Sequence, residues 1–374
     1  MVGTLVVPAM SSGYVFHNLV SDQSGAADHA DPDLVNAWGV AFNPNGFVWV
    51  ADNHSGKSTL YDGLGNKQSL VVNIPGPAGS TGGGAPTGIV FNDGNDFFVG
   101  AGTNPAAFIF AGEDGVISAW NPNEPLPAPS TQAIRKIDNS ASNAIYKGLA
   151  RANNGGQDFL YATDFHNGRI DAFNNAFGPA SLSGNFTDPD LPAGFAPFGI
   201  QAIDGELYVT YAKQDDEAED DVAGPGLGFV NVFDLNGVLQ ERLISQGALN
   251  APWGLAKAPA DFGEFSGALL VGNFGDGRIN AYDESTGMLL GSLSNAAHTP
   301  LSIEGLWGLQ FGNGLNNQPT NTLFFAAGPG GEEHGAYGRI DVTPEPGGLV
   351  LEVLALVGIG LEDALFRRRS IGSK

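Results

Sequence analysis

The chain has 374 residues, of which 40 are acidic and 16 basic, and its formal net charge of −24 repels nucleic acid and anionic lipid, so a DNA-binding function is close to excluded. Glycine, with 55 residues, is about twice as frequent as usual, which favours tight turns between short strands. There is no cysteine, and this excludes a disulfide framework and thiolate chemistry.

The N-terminal residues, MVGTLVVPAM, contain a short apolar stretch without a basic region before it. A complete secretory signal is therefore not visible. We interpret residues 1–13 as the remnant of a signal peptide or as a disordered N-terminus. The next segment, YVFHNLVSD from Tyr14, has the alternation of a strand.

A repeat then runs through the chain, marked by an aromatic or polar residue, a glycine and aliphatic residues. Six near-equal units are visible, with intervals of about 50–60 residues between their glycines. The glycines are Gly39, Gly88, Gly148, Gly199, Gly254 and Gly308.

Each unit contains further short apolar runs that are bounded by turn residues and predict strands. The second strand of each unit is predicted to begin at Phe47, Asp96, Phe159, Glu206, Ala268 and Thr322. The third is predicted from Gly56, Gly115, Gly168, Gly228, Gly277 and Gly338. A fourth strand is predicted in five units, from Ser69, Thr131, Ala180, Val238 and Met288.

The sixth unit lacks a fourth strand, because Pro344 follows its third strand closely. The unmatched strand from Tyr14 supplies a replacement. The sequence therefore predicts an all-β fold, a six-bladed β-propeller over residues 14–342 that the N-terminal strand closes. A β-helix or two sandwiches fit the repeat less well.

The turns between second and third strands, called b–c turns here, lie at the same end of a propeller as the connections between blades. This end is rich in Asp, Asn, Glu, His and Gly. One hypothesis is a Ca²⁺ ion held at the central channel by oxygen ligands. The candidate ligands, chosen by position in the repeat, are Asn36, Asp52, Asp164, Asn250, Asn273 and Glu304.

The alternative is that these residues only cap turns through bonds to their own backbone. The acidic run from Asp215 to Asp221 is interpreted as a solvated loop. His54 and His166 occupy equivalent b–c turns and are interpreted as exposed turn residues. The tryptophans at Trp38, Trp253 and Trp307 are interpreted as packing around the ring. The common hydrolase motifs are absent, and no catalytic residue is identified.

The C-terminal residues 343–374 contain Pro-Glu-Pro, an apolar run and three arginines. The uninterrupted apolar part, Val353 to Leu361, reaches about 14 Å as a helix, against about 30 Å for a hydrocarbon core. The arginines fit a transient membrane contact. The two short motifs are Pro344, Glu345 and Pro346, and Arg367, Arg368 and Arg369.

This order of elements resembles the PEP-CTERM sorting signal of Gram-negative bacteria, with a short hydrophobic sorting helix. The resemblance implies export, recognition by a membrane exosortase, cleavage near the motif and an association with exopolysaccharide-producing biofilm bacteria. The acidic residues inside the apolar segment, Glu352, Glu362 and Asp363, depart from that pattern.

The body is similar to an uncharacterised family of PEP-CTERM-bearing proteins, through stretches such as NLVSDQSGAADHADPDLVNAWGVAF from Asn18 and FIFAGEDGVISAWNP from Phe108. More distantly it resembles NHL-repeat and gluconolactonase-type six-bladed propellers. We therefore expect an exported, matrix-associated propeller that binds an exopolysaccharide or a protein. The alternatives are a calcium-dependent lactonase or esterase and, if the N-terminus is authentic, an intracellular scaffold.

Overall fold

The computed structural model describes residues 13–100 and 102–343. Within these residues the chain forms 24 strands and two single-turn 3₁₀ helices, Ser140–Ser142 and Gly263–Phe265. None of the helices in this described part is long and apolar enough to cross a membrane. The sorting motif, the sorting helix and residues 1–12 lie outside the described residues, so those predictions stay predictions.

The strands in chain order are β1 (Tyr14–Ser21), β2 (His29–Ala30), β3 (Ala37–Phe42), β4 (Val48–Asp52), β5 (Lys57–Tyr61), β6 (Val72–Asn73), β7 (Pro86–Phe91), β8 (Phe108–Gly112), β9 (Val116–Trp120), β10 (Ile134–Asp138), β11 (Tyr146–Asn154), β12 (Gln157–Asp164), β13 (Arg169–Asn174), β14 (Phe195–Ile203), β15 (Glu206–Lys213), β16 (Phe229–Phe233), β17 (Leu239–Ser245), β18 (Pro252–Lys257), β19 (Leu269–Asn273), β20 (Ile279–Tyr282), β21 (Leu289–Ser292), β22 (Leu306–Phe311), β23 (Leu323–Ala327) and β24 (Ala336–Val342).

These strands form six sheets, which are the blades of a propeller. Blade 1 is β3–β6, blade 2 is β7–β10, blade 3 is β11–β13, blade 4 is β14–β17 and blade 5 is β18–β21. Blade 6 contains β22, β23 and β24, with β1 and β2 on its outer side. The predicted six-bladed, all-β propeller is confirmed.

The repeated glycines explain how the inner strands fit around the axis. Each glycine lies against the inner strand of the next blade, and a Cβ atom placed there would come within 2.9 Å of it or less. At Gly254 the obstacle is the carbonyl oxygen of Trp307, at 2.5 Å. At Gly308 it is the carbonyl of Trp38, again at 2.5 Å, so blade 6 packs directly on blade 1. Only glycine permits this approach.

The N-terminal strand β1 lies in blade 6. It pairs antiparallel with β24, from Tyr14 opposite Val342 to Ser21 opposite Ala336. The hydroxyl of Tyr14 donates to the carbonyl of Phe262 at 2.8 Å and accepts the backbone N–H of Phe265 at 3.1 Å. The outer position of blade 6 is therefore occupied by chain from the opposite terminus.

The predicted second strand of blade 2, from Asp96, is wrong. The strand that pairs with β7 is β8, which begins at Phe108. The buried Phe97 adopts a left-handed conformation (φ 57°), and its ring contacts that of Phe177 at 5.1 Å between centroids. The apolar run was mistaken for a strand because its side chains are buried by packing against blade 3 instead.

The predicted fourth strand of blade 3, from Ala180, is also wrong. The segment begins along β13, where the N–H of Ala180 donates to the carbonyl of Ala172 at 2.8 Å. It then leaves for blade 4, because the N–H groups of Gly184 and Phe186 donate to Asn236 and Gly237. Phe186 is buried against Phe233 there, and this packing replaces strand pairing.

Candidate binding site at the mouth of the ring

Aromatic side chains from several blades pack together in one buried cluster, which we call the aromatic plug. The indoles of Trp38 and Trp307 stack with centroids 3.6 Å apart, and Phe274 stacks on Trp307 at 4.1 Å. Trp253 packs edge-on against both indoles, at 6.1 and 5.9 Å. The interpretation of the tryptophans as packing residues agrees with these contacts. The plug comprises Trp38, Phe165, Phe198, Trp253, Phe274 and Trp307.

A buried lysine lies on the plug at the end that carries the b–c turns, which we call the mouth. The side chain of Lys147 is 2% exposed, and its Nζ lies 5.3 Å from the ring centroid of Trp38 and 5.9 Å from that of Phe165. Its ammonium donates to a carboxylate oxygen of Glu113 and, at 3.0 Å, to Asp220. The lysine occupies the repeat position that holds tryptophan in three other blades.

The ammonium of Lys147 is held in its charged form. Burial by itself lowers the pKa of Lys147, but the charges of Glu113 and Asp220 outweigh it and raise that pKa above the ordinary lysine value. A lysine that acts as a nucleophile or base needs a lowered pKa instead. Lys147 therefore serves as a fixed positive charge.

Four carboxylates surround this charge, and we call them the mouth carboxylates: Glu113, Asp220, Asp221 and Glu332. Glu113 lies in the β8–β9 turn, Asp220 and Asp221 in the β15–β16 loop and Glu332 in the β23–β24 loop. Three different b–c turns therefore contribute to one site.

Two asparagines connect the mouth carboxylates. The Nδ2 of Asn36 donates to Glu332 at 2.8 Å and to the side-chain oxygen of Asn53 at 3.5 Å. The Nδ2 of Asn53 donates to Glu113 at 2.8 Å. A continuous hydrogen-bonded path thus runs from Glu332 to Lys147 and fixes the positions of its members.

Two of the mouth carboxylates, Asp221 and Glu332, have a raised pKa because they are partly buried. Burial raises the pKa of Asp221 to about 7, which Lys147 opposes and the charges of Glu332 and Asp220 reinforce. Burial also raises the pKa of Glu332, and the charge of Glu113 adds to this although the bond from Asn36 opposes it. Burial thus disfavours the ionised forms of both carboxyl groups unless a positive charge lies beside them.

The β15–β16 loop, residues 214–228, is anchored over the mouth. The Nε2 of Gln214 donates to the carbonyl of Phe165 at 2.6 Å. The Nδ1 of His166 lies 3.2 Å from the carbonyl of Ala218, and the N–H of Gly224 donates to Asn250 at 2.6 Å. These bonds tie the acidic loop to blades 3 and 5.

A cavity of about 360 Å³ opens beside the mouth between blades 2 and 3. Its lining includes Glu113, Asp114, Asn143, His166 and Glu219. Burial raises the pKa of Asp114 to about 6. The cavity therefore shares Glu113 with the mouth and is itself lined by acidic groups.

The structure places the six predicted calcium ligands in different environments. Asn36 lies in the mouth, as described. Asp52 is completely buried near Asp31 and Asp33, and burial raises its pKa well above the ordinary value. Asp164 caps a turn by accepting the N–H of Ile145 and both N–H groups of Asn167, at 2.8–3.3 Å.

The remaining three also bond to nearby loops. The backbone N–H of Asn250 donates to the side-chain oxygen of Asn273 at 3.1 Å, so these two are in contact. Glu304 accepts the N–H of Gly330 at 3.0 Å. The described residues contain no group of three or more His, Asp or Glu side chains arranged to hold a metal ion. The observed hydrogen bonds bring Asn250 and Asn273 together, and a calcium ion at the channel stays a prediction.

Sequence reasoning missed most of the residues at the mouth. Glu113 was missed because the second strand of blade 2 was placed too early, which hid the turn AGEDG. Lys147 directly precedes the repeated Gly148 and was assigned no role from the sequence. The acidic run is exposed at Asp216, Glu217 and Asp220, as a solvated loop requires. Asp220 nevertheless bonds Lys147, and Asp221 is partly buried, so the interpretation as a solvated loop is incomplete for these two.

Comparisons with known proteins give a family and a fold. No model of a known protein family matches the sequence. The uncharacterised protein R648 of Acanthamoeba polyphaga mimivirus is 34% identical over 320 residues, which are 83% of this chain and 75% of that protein. The uncharacterised protein L690 of the same virus is 34% identical over 302 residues, which are 78% and 77% of the two chains.

Among solved structures, a streptogramin B lyase is similar with a TM-score of 0.50 and 13% identity, over 89% of this chain and 99% of that one. This likeness shows the propeller fold alone. The relatives are viral and uncharacterised, so the PEP-CTERM resemblance and the Gram-negative source stay predictions.

Proposed function

Because the chain belongs to the family of the uncharacterised mimivirus proteins R648 and L690, its function must be inferred from its own site, and we propose that it is a non-catalytic binding propeller whose partner contacts the mouth. The observation that carries this proposal is the charged Lys147, paired with Glu113 and Asp220 on the aromatic plug. Such a site offers fixed charges and hydrogen-bonding groups for recognition, while its lysine is no nucleophile.

The catalytic alternative is a calcium-dependent lactonase or esterase, in which the metal would polarise a carbonyl group. It receives less support, because Asn36, Asp164 and Glu304 bond to three separate partners. Asp221, with a pKa of about 7, is suited to proton transfer. A substrate carbonyl would still need an electrophilic group beside it.

We also propose that the protein is exported by a Gram-negative bacterium and retained in an extracellular matrix, with an exopolysaccharide or a matrix protein as its partner. The sequence of the tail, with Pro344–Pro346 and Arg367–Arg369, supports export, exosortase cleavage and transient membrane contact. The pairing of β1 with β24 supports a ring closed by the N-terminal strand, which does not need the tail.

The test is retention of the full chain on immobilised exopolysaccharide and on extracted matrix protein. The mouth variant combines Asp221→Asn with Glu332→Gln, and the loop control combines Asp216→Asn with Glu217→Gln. Both variants replace one aspartate and one glutamate by their amides, but the control residues are exposed. We expect retention of the wild type and the loop control, and loss for the mouth variant. Equal retention of all three contradicts binding at the mouth.

A further inference from the structure

Carboxyl groups outnumber cationic side chains at the mouth. Four mouth carboxylates face one ammonium group, that of Lys147, and Asp221 and Glu332 are partly withdrawn from water. The ionised form of a partly buried carboxyl group is unfavourable without a positive charge beside it, and the raised pKa of Asp221 and Glu332 reflects that cost. A bound positive charge would remove this cost.

A second and independent observation is an unsatisfied acceptor. Asn36 is completely buried, and its side-chain oxygen has no hydrogen-bond partner in the described part of the chain. This oxygen lies beside Gly328, where the loop that carries Glu332 begins. The amide orientation is fixed, because the opposite one would turn the oxygen of Asn36 toward the carboxylate of Glu332.

A further acceptor is free nearby. The Oδ2 atom of Asp221 is buried and has no partner among the described residues. Carboxylate and amide oxygens accept hydrogen bonds, so a donor placed at either atom would be favourable. A donor that is also positively charged would satisfy the bonds and the charge together.

The protein already holds one such group in this way. Lys147 places its own ammonium between Glu113 and Asp220 and over the rings of Trp38 and Phe165. Carboxylates combined with aromatic faces are the surroundings that ammonium groups favour in proteins. Asp221 and Glu332 add two carboxylates that form no direct ion pair within the described residues, although Lys147 is near enough to lower the pKa of both.

From these observations we propose that the partner presents a protonated nitrogen, an ammonium or guanidinium group, to Asn36, Asp221 and Glu332 at the mouth. This inference rests on the proposed binding function and specifies its ligand class. The remainder of the ligand extends into the 360 Å³ cavity beside Glu113, which is large enough for a single sugar or amino-acid residue. The net charge of −24 attracts such partners over longer distances.

The experiment is calorimetric titration of the full chain with matched pairs of probes. One pair is pentalysine and its fully Nε-acetylated form, and the other is deacetylated chitohexaose and its N-acetylated form. We expect binding of at least one charged probe and none of its neutral counterpart. The charged probe that binds identifies the source, a basic polypeptide or an amino sugar, and binding of both supports the shared chemistry.

The mouth variant and the loop control separate this site from general attraction by an acidic protein. We expect the mouth variant to bind the charged probe about tenfold more weakly or worse, and the loop control to match the wild type. Three results would overturn the inference. The charged and neutral probes could bind equally, the charged probes could fail to bind, or both variants could lose the same amount of binding. If charged probes fail while exopolysaccharide still requires the intact mouth, the ligand class is wrong and the binding function stands.

Discussion

Replacing Lys147 by methionine tests whether the mouth is organised around a buried charge. Methionine retains an apolar stem of similar length but removes the ammonium that bonds Glu113 and Asp220. Removing one partner of a buried ion pair costs roughly 3–5 kcal/mol, because the other charge remains uncompensated.

The geometry places the expected loss at the lower end of that range. The side chain of Asp220 is 76% exposed, so water can solvate it after the change, whereas that of Glu113 is only 25% exposed and keeps most of the penalty. We therefore expect the free energy of unfolding to fall by about 3 kcal/mol.

Urea denaturation of both proteins measures this difference, provided that the slopes agree. The matched control is Lys257→Met, which also removes a lysine that pairs with two carboxylates, Asp204 and Glu284. Lys257 is 37% exposed, and its loss should cost less than about 1 kcal/mol. Equal losses at Lys147 and Lys257 would refute the reasoning.

Three further predictions follow from the ring and its mouth. Gly254→Ala should lower the free energy of unfolding, measured by urea denaturation, by about 1–3 kcal/mol, because its Cβ would meet the Trp307 carbonyl at 2.5 Å. The control Gly82→Ala adds a Cβ in open space and should leave that free energy unchanged. Similar losses in both variants would contradict the packing argument. Deleting residues 1–21 should lower the melting temperature and promote aggregation, because β24 loses its partner β1. Truncation after Thr343 should do neither. An equal effect of both deletions would count against a closing role for β1. Burial holds the pKa of Asp221 near 7, so the folded state keeps a proton that the unfolded carboxyl loses above about pH 4, and stability should decline between about pH 4 and pH 7. Asp221→Asn should flatten that decline in urea titrations, and parallel profiles would exclude Asp221 as its source.

The sequence predicts the blades because the constraint that forms them is local and repeated. Gly254 and Gly308 stand at equivalent positions in their units, because at each position a side chain would collide with a carbonyl oxygen of the inner strand of the next blade. The strands farther from the axis than the first strand of each blade follow no such constraint. Phe97 and Phe186 are buried by neighbouring blades, and nothing in their own segments distinguishes that packing from strand pairing.

The site is harder to predict because its residues come from different blades. Asn36 was identified from its position, but its partner Glu332 is 296 residues away in sequence. Alignment of all b–c turns would have revealed Glu113. Lys147 could have been recognised because it stands at the repeat position that holds tryptophan in three other blades. Asp220 reaches the mouth only through the long β15–β16 loop, whose path the sequence does not specify.

The most direct test of the account is hydrogen–deuterium exchange of the full chain with and without a saturating ligand that it retains, beginning with pentalysine. We predict slower exchange in the turns that form the mouth, residues 113–115, 214–228 and 328–335, and unchanged exchange at the opposite end of the ring, in residues 43–47 and 203–206. Protection confined to the opposite end would contradict binding at the mouth.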